Sequence, residues 1–165
     1  MKWIKTLVSY VLIFAVIYTA VNYWRAPQSV ALPSQVSTLQ TPISKLGISP
    51  AMLQQSHQTP VLVYFWATWC GVCSITSGNI QALSQTHPVQ SIAVQSGNPD
   101  EVHRFMQNHG YDFAVVHDAD GQIFDAWQGQ VTPSFVIIKD GQVAQRFTGI
   151  SPLWSLKARL WWANF

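Results

Sequence analysis

The chain has two cysteines, Cys70 and Cys73, separated by the dipeptide Gly71-Val72. A structural disulfide across so short a loop would restrain almost nothing, because the entropic gain grows with loop length. A zinc site would need two more ligands, and His57, His87, His103, His109 and His117 are scattered without ligand spacing. A chemistry open to the pair is thiol–disulfide exchange, which needs neither metal nor organic cofactor. Cysteine reacts as thiolate, and a free thiol with a pKa of about 8.5 is mostly protonated at neutral pH. A cysteine at the start of a helix faces unpaired backbone N–H groups and the positive end of the helix dipole, both of which favour the anion.

The flanking pattern supplies such a position. Val61 to Trp66 is a continuous apolar run bounded by Pro60, as for a strand buried on both faces. A helix from Gly71 to about Gln85 follows, which makes Cys70 the attacking thiol and Cys73, one turn on, the thiol that resolves a mixed disulfide. Elsewhere, Ser49-Pro50 predicts a short helix to about Gln55. Ser91 to Val94 reads as a strand. Asn98-Pro99-Asp100-Glu101 opens a helix with its apolar face at Val102, Phe105 and Met106, closed by Gly110. Phe113 to Val116 is strand-like, Asp118 to Gly121 a turn, and Gln122 to Trp127 one or two helical turns. Ser134–Lys139 and Gln142–Phe147 form a hairpin through Asp140-Gly141. Ser151-Pro152 then caps a last helix to about Trp162, with Leu153, Trp154, Leu156, Leu160 and Trp161 as its core-facing stripe. The order predicts an α/β fold with a central mixed sheet flanked by helices. There is no internal repeat.

Composition narrows the setting. Of 165 residues, 48% are hydrophobic and only 10% charged, and the net charge of +2 forms no basic stripe, so nucleic acid is not an expected partner. The positions before the folded part divide in two. Leu7 to Trp24 is almost wholly apolar, and at ~1.5 Å per residue it spans ~27 Å, enough for a hydrocarbon core. Lys2 and Lys5 precede it and Tyr23 and Trp24 close it, in the places of cytoplasmic cations and an interfacial aromatic belt. A cleaved signal peptide would want small residues at an A-x-A-like site, and Tyr18-Thr19-Ala20 fits this poorly. Residues 1–24 are thus expected to form an uncleaved, single-pass anchor in a bacterial inner membrane. Residues 25–42, rich in Pro, Ser, Gln and Thr, read as a flexible periplasmic linker with an end-to-end distance of ~25 Å. Residues 43–165 carry the periplasmic catalytic domain.

The stretch Phe65-Trp66-Ala67-Thr68-Trp69-Cys70-Gly71-Val72-Cys73 closely resembles the active-site segment of thioredoxin-fold proteins, above all the membrane-anchored periplasmic branch of the TlpA and ResA type. The resemblance runs from about Ile43 to Trp162. Small size, one N-terminal anchor and the Gly-Val dipeptide look most like the subgroup of the suppressor-for-copper-sensitivity protein D. It implies a thioredoxin fold and a redox-active Cys70–Cys73 disulfide. Val131-Thr132-Pro133 matches the family's loop before the hairpin; the residues alone leave Pro133 either cis or opening an edge strand, and the resemblance implies cis. Thr132 and Pro133 would then face the cysteines and bind a substrate segment, with Trp69 bordering the same surface. Trp66 and Trp127 are expected in the core, while Trp162 and Phe165 are candidates for a membrane or partner contact.

Two departures stand out. Thioredoxins place a buried acid where this chain has Tyr64, and proteins of the ResA type carry a glutamate near the position of Thr76; Ser74 and Ile75 supply no carboxylate either. The implied substrates are thiols and disulfides of exported proteins, in cytochrome maturation or copper-stress thiol maintenance, with electrons from a membrane thiol-transfer partner. Two alternatives use the same cysteines: a periplasmic thiol oxidase or isomerase, and a Cu(I)-binding protein, since thiolates suit that ion.

Overall fold

The computed structural model describes residues 2–25 and 46–165, and in the first segment it describes side chains only at Trp3 and Thr6–Val21. The linker expected at 25–42 and the start of the catalytic domain at 43 therefore fall almost wholly outside the described residues.

Helix α1 runs Lys2–Arg25, with its described apolar side chains exposed. Counting only residues that are described, no helix is long and apolar enough to cross a membrane. After it come α2 (Pro50–Gln55), β1 (Val61–Trp66), α3 (Gly71–Ser84), β2 (Val89–Val94) and α4 (Pro99–His109). The remainder is β3 (Val115–Asp118), α5 (Gln122–Ala126), β4 (Ser134–Lys139), β5 (Gln142–Thr148) and α6 (Leu153–Trp162).

The strands form one sheet in the order β3-β2-β1-β4-β5. β1 and β2 pair in parallel, as do β2 and β3, whereas β4 is antiparallel to both β1 and β5. This is the mixed sheet the sequence predicts. β1 sits at its centre and is buried at all six residues. Because side chains alternate along a strand, Leu62, Tyr64 and Trp66 join the core under α3, α4 and α6, while Val63 and Phe65 join a second core with Leu46, Ile48, Phe124 and Trp127. Trp127 is a packing residue, as expected: it is buried and donates its indole N–H to the Leu46 carbonyl at 2.9 Å.

Local signals placed several boundaries. Ser49 caps α2 by accepting from the Met52 N–H, and Asn98 and Glu101 form a reciprocal capping box on α4, which Gly110 ends at φ 67°. Two expectations need correction. β3 lies at Val115–Asp118 rather than 113–116, because Phe113 turns into the core beneath α4 and Asp118 continues the pairing with Val94. Its buried carboxylate accepts from the Ile123 and Phe124 N–H groups and so fastens the start of α5. On α6 the capping residue is Pro152, with no side-chain bond, and Ser151 Oγ donates to the Gly149 carbonyl instead.

The stripe expected on α6 is also corrected. Leu156 and Leu160 are buried and Leu153 packs against them, but Trp154 and Trp161 point to solvent. At 3.6 residues per turn, both tryptophans fall more than a quarter-turn from the leucine face. The helix is apolar on two sides, and only one is covered by the sheet.

Candidate active site

Cys70 ends the turn after β1 and is the N-cap of α3. It is joined to Cys73 by a disulfide. The Cys73 backbone N–H donates to Cys70 Sγ at 3.2 Å, so the first sulfur already occupies the place where a helix N-terminus stabilises an anion. Exposure separates the roles further: Cys70 is 8% exposed and Cys73 1%. Cys70 is thus the more exposed of the two.

The Thr132–Pro133 peptide bond is cis. Cys70 Sγ lies 3.6 Å from the Thr132 carbonyl oxygen, across 62 residues of sequence. The loop is held from below by the Gly149 N–H, which donates to the Pro133 carbonyl at 3.0 Å. Thus Cys70, Cys73, Thr132 and Pro133 are brought together. Trp69 stands beside them, 64% exposed, with its indole N–H donated to the Gln95 carbonyl at 2.9 Å.

That last bond reveals residues the sequence reading missed. Gln95 and Ser96 follow β2 and support the active-site turn: Ser96 Oγ accepts from the Thr68 N–H at 3.1 Å and donates to the Val94 carbonyl. Gln95 takes the left-handed conformation, φ 45°, which aims its carbonyl at Trp69. A signal existed, since loops at the carboxyl ends of adjacent parallel strands meet at one edge, and β1 and β2 are such a pair.

Beneath Cys73 the acid position of thioredoxins is filled by Tyr64, wholly buried and stacked on Phe135. Its hydroxyl is within 2.9 Å of Ser77 Oγ and donates to the Cys73 carbonyl at 3.4 Å. Burial pushes the phenol well above its ordinary pKa, and the hydrogen bond with Ser77 offsets this only in part. Tyr64 therefore stays neutral and cannot accept a proton from Cys73. Thr76 does not substitute for a glutamate: its hydroxyl donates back to the Val72 carbonyl within α3. Residues 61–98 contain no Asp, Glu, Lys or Arg. A redox pair in a charge-free setting, at the N-terminus of a helix and beside a cis-proline loop, defines a thiol–disulfide oxidoreductase of thioredoxin fold.

The comparisons agree. The family model described as Redoxin matches residues 33–158, and the chain belongs to that family. A thioredoxin-like protein of Haemophilus influenzae is 34% identical over 167 residues, covering 99% of this chain and 96% of its own. The thiol-disulfide oxidoreductase ResA of Bacillus subtilis is 34% identical over 94 residues, covering 54% of this chain and 52% of its own. Among solved structures, that of MTB dsbF in mixed oxidised and reduced forms superimposes with a TM-score of 0.60 at 19% identity, over 73% of this chain and 97% of the other. This likeness bears on the fold. The chain is accordingly a thiol–disulfide oxidoreductase, with Cys70 and Cys73 as its Cys-x-x-Cys pair.

Proposed function

We propose that the protein is a membrane-tethered reductase of disulfides in exported proteins, with Cys70 as nucleophile and Cys73 as resolving thiol. The reading rests above all on the position of Cys70 Sγ, which accepts the Cys73 N–H and lies 3.6 Å from the Thr132 carbonyl. In the reduced enzyme the Cys70 thiolate attacks one sulfur of the substrate disulfide. That S–S bond breaks, a mixed disulfide forms, and the other substrate sulfur leaves as thiolate. Cys73 then gives up its proton and attacks Cys70 Sγ. The second substrate thiol departs, and two electrons have passed from the dithiol to the substrate. Thr132 and Pro133 line the strip of backbone on which an extended substrate segment would lie, and Trp69 walls one end.

The anchor belongs to the same proposal. The α1 backbone is continuous for 24 residues, ~36 Å at about 1.5 Å per residue, with apolar side chains outward. Residues 1–24 would hold the protein at a bacterial inner membrane, residues 25–42 would tether it, and the catalytic domain, 43–165, would work in the periplasm beside a membrane thiol-transfer partner that returns the electrons. The finer likeness to the copper-sensitivity suppressor group, and the choice between cytochrome maturation and copper-stress thiol maintenance, belong to this reading as well.

The test is a Cys73→Ser variant, which stalls the cycle after the first attack. Expressed in full length, it should accumulate mixed disulfides with exported proteins through Cys70, and Cys70→Ser should accumulate none. Equilibration of the wild type against glutathione gives the direction. A potential near that of thioredoxin, about −270 mV, supports a reductase, and one near about −120 mV supports an oxidase. If Cys73→Ser traps nothing while the reduced wild type binds Cu(I) tightly and stoichiometrically, the cysteines serve as a copper site.

A further inference from the structure

The outer face of α6 is a stripe of large aromatic residues that no part of the described fold covers. Trp154 is 74% exposed, Trp161 63%, Trp162 71% and Phe165 90%. The spacing of 154, 161 and 162 places the tryptophans on one side of the helix, opposite the buried Leu156 and Leu160, and Phe165 follows three residues beyond its end. Trp161 and Phe165 rings meet edge to face at 5.0 Å, so part of the stripe is already an ordered platform. A contiguous apolar patch left in water is a feature that soluble surfaces avoid.

We propose that this face docks onto the surface of a lipid bilayer, with the indoles at headgroup depth. Three observations select a membrane over another protein. The stripe is dominated by tryptophan, whose apolar body and single N–H suit the interface between hydrocarbon and water. Its surroundings are cationic: residues 141–165 contain Arg146, Lys157 and Arg159 and no Asp or Glu, which complements anionic headgroups. Lys157 is exposed on α6, whereas Arg159 is engaged over the Phe147 ring at 4.2 Å. The same chain also carries the apolar helix α1, and only 20 residues, 26–45, lie between it and the described part of the domain. The inference rests on the proposed membrane attachment for that proximity, but the stripe and its charge do not depend on it.

Docking would orient the active site. Trp154 lies in the first turn of α6, just after Ser151, whose carbonyl accepts from the Asn79 side chain on α3 at 3.3 Å. The stripe therefore begins on the helix pair that opens at Cys70, and a bilayer against it would hold that mouth close to the membrane plane. A membrane partner could then be met by lateral diffusion.

The experiment uses the full chain reconstituted into vesicles of phosphatidylethanolamine and phosphatidylglycerol, with bromine on the acyl chains as a short-range quencher of tryptophan. The triple variant Trp154→Gln/Trp161→Gln/Trp162→Gln removes exposed groups only, and unchanged disulfide exchange verifies its fold. If the stripe docks, the quenched share of emission falls by roughly a third, from about five of the eight indoles to about two of the remaining five. If it faces water, the same variant removes unquenched emitters and the quenched share rises, which overturns the proposal. A dimer that cross-links in the wild type and not in the variant, with no bromine quenching of the three indoles, assigns the face to a second copy and also overturns it. Lys157→Glu should weaken the quenching in phosphatidylglycerol-rich vesicles. Extraction at alkaline pH reads the α1 anchor separately. A chain that is released by alkali yet shows stripe quenching at neutral pH refutes the anchor and keeps the docking face.

Discussion

The Tyr64 hydroxyl lies 2.9 Å from Ser77 Oγ, and together they form a neutral pair under the carbonyl of Cys73. A thioredoxin would place a carboxylate there. The pair tethers β1 to α3 at the level of the second cysteine and offers no base. Tyr64→Phe deletes the partner that the structure gives to Ser77 and should cost about 1–2 kcal/mol, read as a lower denaturation midpoint. The pH dependence of mixed-disulfide resolution should keep its shape in that variant. A displaced acid limb would mean that the phenol takes part in the proton transfer after all.

Charge is missing from the whole mouth of the site. Residues 61–98, 126–138 and 147–156, which supply the active-site turn, the cis-proline loop and the end of β5, contain no Asp, Glu, Lys or Arg. Nothing there can steer a charged substrate over a distance. With a disulfide peptide that carries a net charge, the second-order rate constant should change by less than about twofold between ~0.01 and ~0.15 M salt, even though the screening length shortens from about 30 Å to about 8 Å. A steep salt dependence would point to charges elsewhere on the chain guiding encounter.

Asp118 is buried, and its two oxygens each accept one backbone N–H, from Ile123 and Phe124, at 2.9 Å. Asp118→Ala leaves both donors without that partner at the start of a five-residue helix. The expected loss is about 2–3 kcal/mol, because hydrogen bonds to charged groups are worth more than neutral ones. Urea denaturation measures it. Trp127 follows directly on α5 and binds Leu46, so proteolysis near residue 46 should accelerate in the same variant.

His117 supplies a pH dependence. Its Nδ1 is buried without a partner, and its ring meets that of His103 at 5.4 Å. Burial, and then the charge on His103, lower its pKa below the ordinary 6.5. The unfolded chain therefore takes up this proton more readily than the native one. The contribution of neutral His117 to stability is complete above 6.5 and is lost as pH falls from there through the lowered native value. His117→Gln should flatten that decline, seen as a smaller difference between urea midpoints at about pH 7.5 and about pH 5. An identical slope in both proteins would leave His117 out of the acid response.

Much of this protein was legible in its residues because the signals are local. Six apolar residues after Pro60, mostly β-branched and aromatic, read as a buried strand, and Cys70 before Gly71 reads as the start of a helix. Capping groups at Ser49 and Asn98 and the Asp140-Gly141 turn marked their boundaries for the same reason. Other features depend on chains meeting across the sheet. That Cys70 Sγ touches the Thr132 carbonyl, that Gln95 pins Trp69, and that Tyr64 and Ser77 replace a carboxylate were decided by strand order, which no single segment encodes. α6 is the plainest case. Leucine and tryptophan alike read as apolar in sequence, and only the position of the sheet decided that Leu156 and Leu160 would be buried while Trp154 and Trp161 were left facing outward.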